Sequence, residues 1–252
     1  MNERSYTVER LTFKSAGHKL IGAIHKPSGM KKIPPAVLVL HGFPGMAPIL
    51  NDLVFSICQS GFSPMTFHYR GCWGSDGDYS FLGALRDTQK ALDLLVDRED
   101  LDITNLSIIG HSFGGLIAIL LSTKNDIVKN VAALCPVANM KAELSSHRAK
   151  TILKKGLPFV SGFPMSKAAI EWETLSKQYD PIFCVEKITP RPFLLIHGDK
   201  DDTIPLKCSK VLFSKAFDPK KMSIVNGADH IFAGNHKKTT ELIVNWLNSN
   251  VK

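Results

Sequence analysis

Gly110-His111-Ser112-Phe113-Gly114, with Gly115 behind it, is the stretch whose reading decides the fold. An apolar run, Leu106-Ser107-Ile108-Ile109, precedes it, and a helix-like run, Leu116 to Ser122, follows. A serine between a buried strand and a helix, with glycine two residues away on each side, reads as a nucleophile elbow. The turn is so sharp that the serine takes a strained backbone conformation. Side chains at Gly110 and Gly114 would collide there. The strain lifts the Ser112 hydroxyl clear of the sheet and aims the following N–H groups at the same space. Gly-x-Ser-x-Gly alone arises by chance in roughly one chain in ten of this length, so the flanking strand and helix carry the reading.

Outward from the elbow, the chain alternates. Val8 to Lys14 and Lys19 to His25 flank a turn at Ala16-Gly17-His18 and predict an opening antiparallel hairpin. Ala36-Val37-Leu38-Val39-Leu40 is wholly apolar, as a central parallel strand covered on both faces must be. A helix over Ile49 to Ser60 and a strand over Phe62 to Tyr69 follow, then the glycine-studded loop Arg70 to Gly77 and a helix over Ala84 to Val96. Beyond the elbow helix (Phe113 to Ser122), strands are expected at Asn130 to Pro136, Pro192 to His197 and Met222 to Val225, with helices at Leu206 to Phe217 and His236 to Asn250. Strands alternating with helices argue a mostly parallel, doubly wound α/β sheet. Val137 to Pro181 breaks the rhythm and is too long for a simple connection. It carries helix-like stretches at Ala138 to Lys155 and Lys167 to Gln178 around a Pro/Gly/aromatic part, and reads as a cap over the site inside a single domain spanning 1–252.

The 252 residues suffice for one large core, and 44% hydrophobic with 21% charged residues is ordinary globular composition. No apolar run reaches the roughly 18 residues that span a bilayer, and Met1 to Tyr6 has no leader-like apolar segment. A cytoplasmic protein is therefore expected. Five scattered cysteines, none in Cys-x-x-Cys, predict reduced thiols, and no metal site is expected because neither Cys nor His clusters at ligand spacing. The net charge of +8 comes with short lysine pairs (Lys31-Lys32, Lys154-Lys155, Lys220-Lys221, Lys237-Lys238). None has the length or interleaved aromatics of a nucleic-acid surface, so no nucleic-acid partner is expected. The charge alone does not establish a preference for anionic substrates. Oligomeric state is open, a homodimer included.

A serine hydroxyl needs a base, and the base needs a carboxylate to hold its tautomer. In elbow enzymes the chain order is nucleophile, acid, histidine. Phe193-Leu194-Leu195-Ile196-His197 ends in Gly198-Asp199-Lys200-Asp201-Asp202-Thr203-Ile204-Pro205, which offers three aspartates at a strand end. Asp199 suits bracing the turn and Asp202 suits capping the next helix, so Asp201 is preferred, although order alone does not choose. His230, on the last loop before the final helix, is the base; His236 is its rival at the start of that helix. His111 and His197 border the site and shape it by packing or hydrogen bonds. The negative oxygen of a tetrahedral intermediate needs donors. The N–H of Phe113 is one, and the loop His41-Gly42-Phe43-Pro44-Gly45 supplies the other at the N–H of Phe43. Phe159, Phe163 and Met165 are the expected substrate-binding wall.

The elbow, the His41–Gly45 loop, Gly198 to Pro205 and Ala228-Asp229-His230 resemble, in order over nearly the whole chain, the four signatures of the α/β-hydrolase superfamily. The chain is most similar to its small carboxylesterases, including cinnamoyl/feruloyl esterases and monoacylglycerol-lipase-like or serine-aminopeptidase-like members. The resemblance implies an α/β-hydrolase fold, Asp201 as the acid from Gly-x-x-Asp followed by Ile-Pro, and a helical cap after the sixth strand. Many such relatives carry Asp or Asn before the Tyr/Arg-Gly loop; here His68-Tyr69-Arg70-Gly71 stands, followed by Cys72-Trp73.

The implied activity is hydrolysis of small to medium acyl or aryl esters through an acyl-enzyme, with a small-molecule ester as partner and no cofactor. Activity is expected to fall in acid, because a protonated imidazole cannot accept a proton. An aminopeptidase or amidase on the same triad is the alternative, and would want cap carboxylates such as Glu143, Glu171 or Glu173 for a substrate amine. Large prolyl-oligopeptidase relatives carry a propeller, for which this length leaves no room. A non-catalytic binding protein on the same scaffold is a third reading, against which a complete candidate triad argues.

Overall fold

The computed structural model describes residues 4–45, 47–144 and 146–251. Residues 1–3, part of the start read above for a leader, lie outside this set. Strands β1 (Tyr6–Ser15) and β2 (His18–Pro27) pair antiparallel from Tyr6 with Pro27 to Ser15 with His18. The sheet continues with β3 (Pro35–Leu40), β4 (Ser63–Phe67), β5 (Asp102–His111), β6 (Asn130–Leu134), β7 (Phe193–Gly198) and β8 (Lys220–Val225). Their order is β1-β2-β4-β3-β5-β6-β7-β8, antiparallel as far as β2–β4 and parallel from β4 to β8. The expected mostly parallel sheet with an antiparallel start is therefore present.

Alternation within β3 explains why it is apolar throughout. Ala36, Leu38 and Leu40 belong to one core cluster, while Val37 and Val39 belong to the other. Burying each large apolar side chain stabilises by roughly 1.5–3 kcal/mol, so a one-residue slip, which exchanges the faces, is resisted on both sides. Helices α1 (Pro48–Gln59) and α8 (His236–Asn250) supply the second cluster through Ile49, Leu53, Ile243 and Leu247. Helices α2 (Phe81–Val96), α3 (Phe113–Ser122) and α7 (Leu206–Lys215) cover the opposite face.

After β3 the chain goes to β4 on one side, and after β4 it returns to β5 on the other. The carboxyl ends of β3 and β5 thus meet at a topological switch point, where ligand crevices form.

The insertion between β6 and β7 differs from the expected single helix over Ala138 to Lys155. It holds α4 (Met140–Glu143) and α5 (Ser146–Gly156), then a 3-10 turn at Leu157–Phe159 and α6 (Met165–Gln178). The chain bends at Leu144, whose φ is −109° and ψ 63°; Ser145 lies outside the described residues. The bend lets Leu144, Ala149 and Leu153 face Trp172 across one apolar cavity. The Asp180 carboxylate accepts from the N–H groups of Asn139 (2.9 Å) and Met140 (2.6 Å), which fastens the two ends of the insertion together.

Candidate active site

Ser112 has φ 56° and ψ −119°, the strained conformation expected of the elbow. Its N–H donates to Leu134 O at 2.8 Å, and its carbonyl accepts from Gly115, Leu116 and Val137 at 3.0, 3.3 and 3.1 Å. A Cβ at Gly110 would sit 2.0 Å from Gly114 O, and one at Gly114 would sit 2.5 Å from Leu40 O. Those are backbone atoms, which cannot step aside, so both glycines are required by sterics. Ser112 keeps 7% of its surface, enough for its hydroxyl to face the cleft.

Three side chains from separate loops meet there. His230 Nε2 lies 3.0 Å from Ser112 Oγ, and His230 Nδ1 lies 2.7 Å from Asp201 Oδ2. The carboxylate accepts only, so Nδ1 carries the proton and Nε2 presents its lone pair to the serine hydroxyl. Asp201 Oδ1 accepts from the N–H groups of Thr203 (2.9 Å) and Ile204 (2.8 Å). Burial pushes the Asp201 carboxyl up, but hydrogen bonds from His197 and His230 outweigh it and hold the group well below the usual carboxylate range. It therefore stays ionised beside the imidazole.

The two rival aspartates do other work. Asp199 Oδ1 accepts from Gly227 N–H at 2.6 Å, bracing the turn as expected. Asp202 accepts from its neighbour Thr203 Oγ1 at 3.1 Å and does not cap α7, whose N-cap position is Pro205. His236 pairs with Asp52 at 2.6 Å on the surface.

His197 and His111 hold Asp201 and His230 in place. His197 Nε2–H reaches Ile204 O at 2.9 Å and Asp201 Oδ2 at 3.3 Å, while its Nδ1 accepts from Ser209 Oγ at 2.7 Å. His111 Nε2–H donates to His230 O at 2.8 Å, with the two rings 4.8 Å apart. Burial, with His230 nearby, pushes the His111 imidazole down to about 3. Cys135 Sγ, a carboxylate oxygen of Asp201 and a ring nitrogen of His230 lie within 4.8 Å of one another, but the aspartate and the histidine are already engaged in the relay. Burial pushes the Cys135 thiol far up, so it stays protonated.

The loop after β3 closes over the serine. A Cβ at Gly42 would stand 2.9 Å from Ser112 Cβ, so only glycine permits that approach. Tyr69 Oη donates to His41 O at 3.0 Å, and the thiol of Cys72 and the indole N–H of Trp73 both donate to Pro44 O, at 3.6 and 3.2 Å. The loop at 69–73, where this chain departs from the relatives it resembles, therefore props the loop after β3. A buried pair anchors it, with Arg70 Nη2 2.6 Å from Asp87 Oδ1. The rings of Phe43 and Phe113 both pack on Phe81, at 5.2 and 4.8 Å, which couples the loop after β3 to the start of α3.

A cleft of about 330 Å³ opens on Ser112 and His230, lined also by Phe43, Pro44, Trp73, Phe159 and Ile231. Of the three expected wall residues, only Phe159 is there, 60% exposed. Phe163 is core, packed on Tyr79 and Phe81, and Met165, the first residue of α6, does not line the cleft. Apolar character alone did not separate these roles. Trp73 is a wall residue that the apolar pattern of the sequence does not single out. It stands in a glycine-rich loop at φ 46°, 59% exposed, so that beyond its bond to Pro44 O the indole is open to the cleft. The cap carboxylates are engaged: Glu171 by Ser80 Oγ at 2.9 Å, Glu173 by Lys177 at 2.6 Å and Glu143 by Lys207 at 2.7 Å.

Similarity to known proteins agrees with this geometry. The chain is 28% identical over 216 residues to the uncharacterized protein YfhR of Escherichia coli O157:H7, covering 84% of this chain and 69% of that one. It is 27% identical over 188 residues to the acylamino-acid-releasing enzyme of Homo sapiens, covering 69% of this chain but 25% of that enzyme. Est1E from Butyrivibrio proteoclasticus, solved with ferulic acid bound, superposes with a TM-score of 0.77 at 19% identity, over 95% of this chain and 98% of that one. At that identity the likeness is one of fold, and the fold is that of the α/β hydrolases. No helix among the described residues is long and apolar enough to cross a membrane. The prolyl oligopeptidase family (peptidase S9) matches residues 69–252, so the chain belongs to that family and is a serine hydrolase of the α/β-hydrolase fold.

Proposed function

We propose that this serine hydrolase is a carboxylesterase for small to medium acyl or aryl esters. Ser112 Oγ attacks the ester carbonyl as His230 Nε2 takes its proton, and Asp201 stabilises the imidazolium. The N–H groups of Phe43 and Phe113 receive the oxyanion; Phe113 begins a helix, where N–H groups lack intrahelical partners. His230 then protonates the departing alcohol, leaving the acyl group on Ser112. Water, deprotonated by His230, releases the acid and restores the serine.

The observation that carries this reading is the line from Ser112 Oγ through His230 to Asp201, at 3.0 and 2.7 Å, ending in a ready acceptor. The insertion at 137–181 acts as the cap, and its Phe159 forms part of the cleft wall. Five free thiols suit a reducing compartment, and we place the protein in the cytoplasm.

A second reading, cleavage of acylated amides, is favoured by the family. The engaged cap glutamates count against recognition of a free amine. The test is a panel of aryl esters and matched aminoacyl- and acylaminoacyl-anilides, with fluorophosphonate labelling of Ser112. Ester turnover that Ser112→Ala abolishes supports the first reading; faster anilide turnover replaces it with the second.

A further inference from the structure

A second basin of about 240 Å³ adjoins the catalytic cleft and shares Phe43, Pro44 and Phe159 with it. Its remaining lining includes Arg148, Thr151, Lys155, Asp202 and Thr203. The charges in it are unbalanced. Lys155 Nζ has neither a hydrogen bond nor an ion pair among the described residues. Arg148 is half-buried and held by one nitrogen only, Nη1 donating to Asp202 O at 2.6 Å and Thr203 O at 3.3 Å. Carbonyls carry no formal charge, so the guanidinium stays unneutralised, and its Nε and Nη2 have no partner among the described residues. The one carboxylate lining the basin, Asp202, is turned to its neighbour Thr203.

We propose that this basin holds a carboxylate on the substrate, which makes the preferred substrates anionic esters whose charged tail passes Phe159 and ends between Arg148 and Lys155. The proposal rests on the esterase reading above and adds the substrate's charge to it. An arginine fixed by bonds to the carbonyls of Asp202 and Thr203 presents a rigid donor edge, the geometry that suits a carboxylate. The lysine adds a mobile charge at the rim. Phe159, 60% exposed, forms an apolar partition between the basin and the cleft at Ser112. Its ring face can line both compartments at once. Because Arg148 hangs on the carbonyls of 202 and 203, a tail bound there rests directly against the loop that carries Asp201.

The experiment compares kcat/KM for paired esters at pH 7 and low salt. 4-Nitrophenyl hydrogen glutarate against 4-nitrophenyl pentanoate places the charge on the acyl side; 4-carboxyphenyl butyrate against phenyl butyrate places it on the alcohol side. In one of the two pairs the anionic ester is expected to be favoured through a lower KM. Lys155→Glu should cut that anionic-to-neutral ratio by about tenfold, the scale of one charge-assisted hydrogen bond. Lys221→Glu, the same charge change at the amino end of β8, should leave the ratio alone. The preference should also shrink in 1 M salt, where charges are screened within about 3 Å. Equal turnover of both members in both pairs, or an equal drop in the ratio with Lys221→Glu, overturns the proposal while the esterase reading stands. Absence of turnover for all four esters overturns the esterase reading, and this proposal with it.

Discussion

The carbonyl oxygen of His230 accepts a hydrogen bond from Nε2 of His111 at 2.8 Å, so the residue before Ser112 holds the backbone of His230. Elbow and histidine loop are thereby tied by a contact separate from the Ser112–His230 bond. His111 Nδ1 is buried with no partner among the described residues, which fits a neutral ring whose one proton is committed to that carbonyl.

His111→Phe keeps the ring and removes the donor, leaving a carbonyl unsatisfied. It should lower kcat by about tenfold or more and stability by about 1–3 kcal/mol, with KM changing little. Steady-state kinetics and urea unfolding of the same preparation check this. A change confined to KM would mean that the contact does not position the base.

Stability should fall in mild acid because of two buried imidazoles. Burial pushes both His41 and His111 down to about 3, against 6.5 unfolded. Above 6.5 neither state binds the proton. Below it the unfolded chain takes up protons that the folded chain refuses, so stability is lost as pH drops from 6.5 toward 3. Each group contributes a slope of about 1.4 kcal/mol per pH unit within that window. Urea midpoints measured from pH 7.5 to 4.5 should decline, and His41→Asn should flatten the decline.

Asp87→Ala should be among the costlier single changes outside the triad. Arg70 and Asp87 keep 7% and none of their side-chain surface, and removing the carboxylate strands the guanidinium. A loss of about 3–5 kcal/mol is expected. Thermal unfolding measures it, and Arg70→Met/Asp87→Leu together should recover most of the loss.

Gly114→Ala should cost about 3 kcal/mol or prevent folding, because the new methyl would meet Leu40 O and His41 O at 2.5 and 2.6 Å. Gly45→Ala would instead meet the exposed indole of Trp73, at 2.0 Å from Nε1. That side chain can swing away, so stability should hold while KM for aryl esters changes. Circular dichroism melting of both variants separates the two cases.

What was legible in the chain was local. The elbow, the strand-end aspartates and the loop histidine each sit beside a strand whose apolar pattern can be read, and their order along the chain is a covalent fact. Helix bounds at 113–122 and 236–250 were readable for the same reason. The bend at Leu144 was not, because it answers to the distant Asp180 carboxylate and to Trp172 across the cavity. Phe163 and Phe159 look alike in sequence, yet one packs on Phe81 and the other faces solvent at the cleft.

The sequence by itself determined the alternating elements, the glycines that make the elbow sterically possible and the order in which nucleophile, acid and base arrive. Periodicity and backbone sterics act between near neighbours, so they leave marks that can be read along the chain. Only the tertiary structure decided that Asp201, rather than Asp199 or Asp202, meets His230 at 2.7 Å. It also decided that Arg148 and Lys155 line a basin beside the catalytic cleft, with no carboxylate paired to either among the described residues. Those outcomes depend on distances between residues far apart in the chain, set by the packing of whole layers, and no local pattern records them.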